Sequence, residues 1–145
     1  MWKDWLNMIK LIVGVKGTGK TKTLIDMVNK ATKTSKGNIV CLEKGKKLTY
    51  DIKHSVRLID VEEYRVTGFH TLLSFTSGIL ASDYDVTDFF IDSALKIGKD
   101  KLDEFPAFIE GLEYLSDKFK INFTLTASAD PDALPESLKK YTEIH

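Results

Sequence analysis

Gly14-Val15-Lys16-Gly17-Thr18-Gly19-Lys20-Thr21 stands between two stretches of different periodicity, and its reading decides the fold. Upstream, Met8-Ile9-Lys10-Leu11-Ile12-Val13 is short, mostly apolar and β-branched, which predicts a buried strand. Downstream, from Gly19 to about Ala31, Leu24, Ile25 and Val28 recur at helical spacing. Lys30, Lys33 and Lys36 lie where cations favour a helix C-terminus, and Gly37 closes the connection. Between strand and helix, glycines let the backbone curl into a nest whose N–H groups face one anion. The helix start adds the positive end of its dipole.

The octet fits G-x-x-x-x-G-K-[ST], in which each fixed position has a chemical role. Gly14, Gly17, Thr18 and Gly19 shape a cradle for phosphates, Lys20 reaches the β- and γ-phosphates, and Lys22 follows on the first helical turn. The Thr21 hydroxyl suits Mg²⁺, a hard cation that prefers oxygen and commonly shares it with phosphate. On these eight residues the chain resembles the P-loop NTPases. That resemblance implies a three-layer α/β fold with a mainly parallel central sheet, helices on both faces, and a bound nucleoside triphosphate with Mg²⁺.

The remaining chain alternates in the same way. Asn38-Ile39-Val40-Cys41-Leu42 is a second buried-strand candidate, making a βαβ unit with the first. Val56-Arg57-Leu58-Ile59-Asp60-Val61 is a third strand-like run whose place in the sheet the sequence leaves open. Phe69, Leu72, Leu73, Thr76, Ile79 and Leu80 share one helical face, predicting a helix over roughly residues 62–81. Asp88-Phe89-Phe90-Ile91-Asp92 reads as a strand, and the apolar spacing from Leu102 to Phe119 as a helix with Asp103 as N-cap and Pro106 in its first turn. Ile121-Asn122-Phe123-Thr124-Leu125-Thr126 is the last clear strand. The tail from Pro131 onward is expected to hold a short helix and a loose end.

Asp92 ends an apolar strand, where P-loop proteins hold the carboxylate that meets Mg²⁺, commonly through water. Asp60 ends a similar run and is its rival. Asp92 is preferred because its strand is more apolar and its distance from Lys20 leaves room for a strand and a helix between them. Many relatives in this class follow that aspartate with a glutamate that orients the attacking water, whereas here Ser93 follows. The RecA-like branch places its glutamate after the second strand, where Glu43 stands. By that resemblance Glu43 is the leading base, with a surface glutamate beside Lys44 and Lys46 as the plain alternative. Lys20, Glu43 and Asp92 are thus the expected catalytic set of an ATPase.

Thr126 and Ser128 end a strand expected near the loop and could sense the γ-phosphate, although threonine also suits strands and Ser-Ala-Asp-Pro suits a turn. Arg57 and Arg65 are the only arginines, so an arginine acting on the phosphates comes from one of these or from a partner. The guanine-reading [NT]-K-x-D signature is absent, since Asp100-Lys101-Leu102-Asp103 begins with aspartate; ATP is favoured over GTP. Partition-type ATPases carry an additional lysine where Val15 stands. The element order also resembles the core of thymidine kinases, but their Asp-Glu pair and cysteine zinc module are missing, which makes substrate phosphorylation the lesser reading.

At 145 residues, 43% hydrophobic and 29% charged, the chain suits one folded domain over residues 1–145. Residues 1–7 read as a short N-terminal extension, with a docking helix as the alternative because Trp2, Trp5, Leu6 and Ile9 have helical spacing. A lone Cys41 excludes an internal disulfide, and His54, His70 and His145 lack metal-ligand spacing, so a cytoplasmic protein is expected. No apolar run reaches the length of a membrane span. The zero net charge hides an asymmetry: residues 1–57 carry 13 Lys and Arg against 4 Asp and Glu, and the remainder carries the reverse excess. A basic half attracts nucleic acid in principle, but these lysines are scattered without interleaved aromatics, which favours solvated faces plus a phosphate site. A protein partner or self-assembly that stimulates turnover completes the expectation.

Overall fold

Strand-forming runs that lack charge must be covered on both faces, and a parallel sheet between helices is the architecture that does so. A computed structural model describes residues 8–145 and has this form; the expected extension over residues 1–7 lies outside the described residues. Six strands, β1 (Ile9–Gly14), β2 (Asn38–Glu43), β3 (Arg57–Asp60), β4 (Val86–Ile91), β5 (Asn122–Ser128) and β6 (Thr142–Ile144), form one sheet in the order β3-β2-β4-β5-β1-β6. Every neighbouring pair is parallel. Among the described residues four α-helices accompany them: α1 (Lys20–Thr34), α2 (Phe69–Ser82), the short α3 (Ala94–Ile97) and α4 (Phe105–Phe119).

The two-residue period of the strands divides the core between two layers. Leu11, Leu42, Phe89, Ile91, Phe123 and Leu125 face a cluster that α2 and α4 complete, with the Phe69 ring centroid 5.2 Å from Phe105 and 5.0 Å from Phe108. Ile39, Cys41 and Phe90 face the opposite layer, where Leu24 and Val28 of α1 pack beside Leu48, Ile52 and Val56. Helices therefore lie on both faces, and the chain has the α/β, P-loop NTPase-like fold. Cys41 is a fully buried core residue whose thiol is held well above its ordinary pKa, first by burial and then by the Asp92 and Glu43 carboxylates.

Several sequence expectations need correction. The helix expected over residues 62–81 begins only at Phe69. Val61–Tyr64 is a separate 3-10 turn started by Asp60, whose side chain accepts the Glu62 N–H, and Arg65 then adopts a left-handed φ of 57° that no α-helix can continue. Asp103 does not cap the last helix: α4 starts at Phe105, preceded by Glu104 in helical conformation, with Pro106 in its first turn. The tail is not loose. Two 3-10 turns, Pro131–Ala133 and Glu136–Tyr141, lead it back to the free side of β1, where β6 pairs in register with Leu11, Ile12 and Val13. β1 and β2 are not adjacent, because β5 and β4 lie between them.

Candidate functional site

Carboxyl ends of parallel strands form the crevice where α/β proteins bind ligands, since the connections that leave them splay apart there. β1 delivers its residues to this edge at Gly14, which pairs with Ser128 of β5. The chain then turns through residues 15–19 into α1. Gly17 and Gly19 adopt φ values of 87° and 83°, conformations that side chains with a Cβ seldom enter, which explains the glycine at both places. Gly19 offers α1 no side-chain cap, so the first N–H groups of a fifteen-residue helix meet the crevice.

Within the loop, the Thr18 hydroxyl donates to the Val15 carbonyl at 2.9 Å, and the Lys20 ammonium donates to the same carbonyl at 2.9 Å. Lys20 is thereby drawn back over the turn and is 6% exposed. Burial pulls its pKa below the ordinary lysine value, and the Asp92 carboxylate opposes that shift.

Asp92 follows β4 directly and its N–H donates to the Leu42 carbonyl at 2.9 Å, which fixes it against β2. Its carboxylate receives the Thr21 hydroxyl at 3.2 and 3.4 Å and the Thr126 hydroxyl at 2.7 Å. Thr126 in turn accepts the Ser93 N–H at 2.7 Å. Ser93 has a left-handed φ of 56°, a conformation that a non-glycine residue holds only where its surroundings enforce it. Loop, β4 and β5 are thus joined at one carboxylate. Asp60 serves another purpose. On the edge strand β3, its Oδ1 accepts the N–H groups of Gly45 at 2.8 Å and Glu62 at 3.0 Å, so it holds turns.

Above this junction lies a cavity of about 480 Å³, a size suited to a small polar ligand. Lys16, Gly17, Gly19, Lys20, Thr21 and Lys22 form its loop side. Ser93, Thr126 and Ser128 from the ends of β4 and β5 also line it, as do Lys47, Lys96 and Asp100. The fold thus brings together the loop residues, Thr21 with Asp92, and the two polar residues at the end of β5.

Glu43 is not in that cavity. It ends β2, is 3% exposed, and its Oε1 accepts the Lys47 N–H at 3.0 Å and the Leu48 N–H at 3.3 Å. It borders instead a separate cavity of about 330 Å³ with Lys46, His54, Arg57 and Asp60. Burial raises its pKa; the two backbone donors oppose this, and Asp92 and Asp60 add to it. Arg57 and Arg65 also lie away from the loop, in other clefts. Sequence reasoning does not single out Lys47 or Lys96. Both are exposed lysines in lysine-rich surroundings, and only the folded chain separates them from the rest.

No protein-family model and no curated protein matches the chain. Among solved structures it is similar to that of PCH-2 from C. elegans, at 15% identity and a TM-score of 0.51. The match covers 95% of this chain and 34% of that one, so the chain spans about a third of that structure's length. At this identity the likeness concerns the fold alone.

Proposed function

We propose that this chain is a P-loop protein that binds a nucleoside triphosphate with Mg²⁺, ATP in the first place, and turns it over slowly. One observation carries the proposal: the Thr21 hydroxyl lies 3.2 Å from the Asp92 carboxylate, 71 residues away in sequence, beneath a cavity walled by the loop. The donor set fits the metal, because a hydroxyl and a carboxylate are the hard oxygen ligands that Mg²⁺ takes, with phosphates and water supplying the others. When bound, the ion neutralises phosphate charge.

In this reading the amides of residues 17–21 and the Lys20 ammonium hold the β- and γ-phosphates, while Thr21 and Asp92 keep the metal side in place. Thr18 and Lys16 shape and flank the loop. Lys22 meets the phosphates from the first turn of α1. Slow turnover follows from the supply of bases. Ser93 follows Asp92, and Glu43, the carboxylate nearest to the expected role, is occupied by two backbone N–H groups outside the cavity.

That occupation of Glu43 also favours a second reading, a nucleotide-dependent binding module without turnover. Titration of Mg-ATP and Mg-GTP, together with phosphate release, tests both. Lys20→Ala is expected to abolish binding, and ATP to bind more tightly than GTP. Phosphate release above the Lys20→Ala control, with Glu43→Gln abolishing it while sparing binding, supports the ATPase with Glu43 as base. Binding with release no greater than that control leaves the binding module, and no affinity for either triphosphate removes both readings.

A further inference from the structure

The cavity above the loop is more positive than the loop alone makes it. Five lysines line it, Lys16, Lys20, Lys22, Lys47 and Lys96, against one lining carboxylate, Asp100. Three belong to the loop and the first turn of α1. The other two, Lys47 and Lys96, reach the same cavity from separate parts of the fold, the turn after β2 and α3.

Each of these two is set on an anchored backbone. Lys47 sits in the turn after β2, where its N–H and that of Leu48 bind the buried Glu43 carboxylate. Leu48 beside it is buried in the core. Lys96 belongs to α3, whose Ala94, Leu95 and Ile97 are all buried and whose Lys96 N–H donates to the Ser93 carbonyl at 3.1 Å. Among the described residues neither side chain forms an ion pair, whereas the neighbouring Lys46 ammonium lies 3.6 Å from Glu63. Two cations without ion-pair partners, on fixed backbones and lining one cavity with three more, repel one another until an anion enters.

We propose that Lys47 and Lys96 are cationic contacts to the terminal phosphate of the bound nucleotide, so that the chain distinguishes triphosphate from diphosphate without any arginine. The inference rests on the nucleotide reading above and deepens it. Arg57 and Arg65 lie in other clefts and cannot serve from their positions in this fold. The loop supports the phosphates from below, at the helix start. A γ-phosphate held at the loop lies in the cavity that Lys47 and Lys96 also line, and a diphosphate lacks the group they would meet. Both residues bind and position; neither takes a proton in the reaction.

The test is calorimetric titration of Mg-ATP and Mg-ADP into the wild-type chain, Lys47→Gln, Lys96→Gln, the double glutamine variant and the double arginine variant. Wild type is expected to prefer ATP by roughly tenfold or more, the gain that additional close charge pairs provide in a partly enclosed site. The double glutamine variant is expected to lose that preference through weaker ATP binding, with ADP changed by less than about twofold, and the double arginine variant to restore it. Both side chains are exposed, so thermal midpoints should agree among all forms. A preference that survives the double glutamine substitution, or equal weakening of both nucleotides, overturns the inference. Wild-type protein that binds neither nucleotide overturns the reading on which it rests, and this outcome is distinct from the other two.

Discussion

The Thr126 hydroxyl donates to Asp92 Oδ1 across 2.7 Å while accepting the Ser93 N–H across the same distance, so one side chain serves both sides of the β4 end. This pairing holds Asp92 in position before any ligand arrives. It also keeps Ser93 in its left-handed conformation, from which α3 and its Lys96 depart. Thr126 is 1% exposed, so water cannot replace it.

Replacing Thr126 with valine keeps the shape and removes both bonds. The Ser93 N–H then loses its acceptor and Asp92 its shortest donor, keeping the Thr21 hydroxyl at 3.2 Å, which together costs about 1–2 kcal/mol. Urea denaturation should show Thr126→Val destabilised by this amount and Thr126→Ser close to wild type. Equal stability of Thr126→Val and wild type would mean that the Asp92 geometry does not depend on β5.

If the chain binds Mg-ATP as proposed, Asp92 and Thr21 make separable contributions to nucleotide affinity. With Mg²⁺ present, the carboxylate would support the metal; with the metal chelated, it would stand near phosphate oxygens of the same sign. Asp92→Asn should therefore weaken Mg-ATP binding by about tenfold, yet bind ATP in chelator at least as tightly as wild type. Thr21→Val should weaken only the magnesium-dependent binding. An Asp92→Asn protein that responds to magnesium as wild type does would place the metal elsewhere.

The parts of the site that are legible in the sequence are those imposed by local chemistry. Gly17 and Gly19 occupy positive φ, and the apolar run Phe89-Phe90-Ile91 announces a strand buried on both faces, with Asp92 at its end. β3 can be recognised but not positioned, because the edge of a sheet and its interior differ only in what lies beside them. β6 cannot be recognised. Thr142, Glu143 and Ile144 are three residues without alternation, and they form a strand only because β1 has an open side. The helix expected over residues 62–81 starts too early, since nothing in its apolar spacing reveals the positive φ of Arg65 or of Gly68. Lys47 and Lys96 illustrate the same limit: among so many lysines, only tertiary placement marks the two beyond the loop and its helix that line the cavity.

Lys20 should be a cost to the empty protein. Its ammonium is buried, and its folded pKa lies below 10.5. The folded chain therefore binds fewer protons than the unfolded chain between those two values, and stability rises with pH across that window. Burial therefore disfavours the charged form of Lys20 in the folded chain. The bond lost on substitution leaves the carbonyl of Val15, a residue 54% exposed, which water can satisfy. Lys20→Met should melt at or above the wild-type temperature without nucleotide. With Mg-ATP at about a hundred times its dissociation constant, wild type should gain roughly 2.7 kcal/mol and the variant nothing. A methionine variant that melts lower and still responds to ATP would contradict both halves of this account.

Glu43 offers the corresponding test with the opposite sign. Burial raises its folded pKa above the ordinary value of 4.5. Between 4.5 and the raised value the folded chain binds more protons than the unfolded chain, so stability falls as pH increases through that window. Glu43→Gln removes this titration while its amide oxygen can still accept from Lys47 and Leu48. The variant should equal or exceed wild type in stability at about pH 7 to 8, and the difference should shrink as the pH approaches about 4.5. Glu43→Ala removes the acceptor and leaves the Leu48 N–H, on a residue only 3% exposed, without its partner. It should be less stable than Glu43→Gln by about 1–3 kcal/mol at every pH in the range, because both variants lack the titration and a backbone donor deprived of its partner does not titrate. Chemical denaturation of the three proteins at intervals from about pH 5 to 8 checks both expectations. If Glu43→Gln is the less stable form at the upper end of that range and its deficit grows with pH, the negative charge itself stabilises the turn, and Glu43 is an electrostatic anchor for the lysines around it.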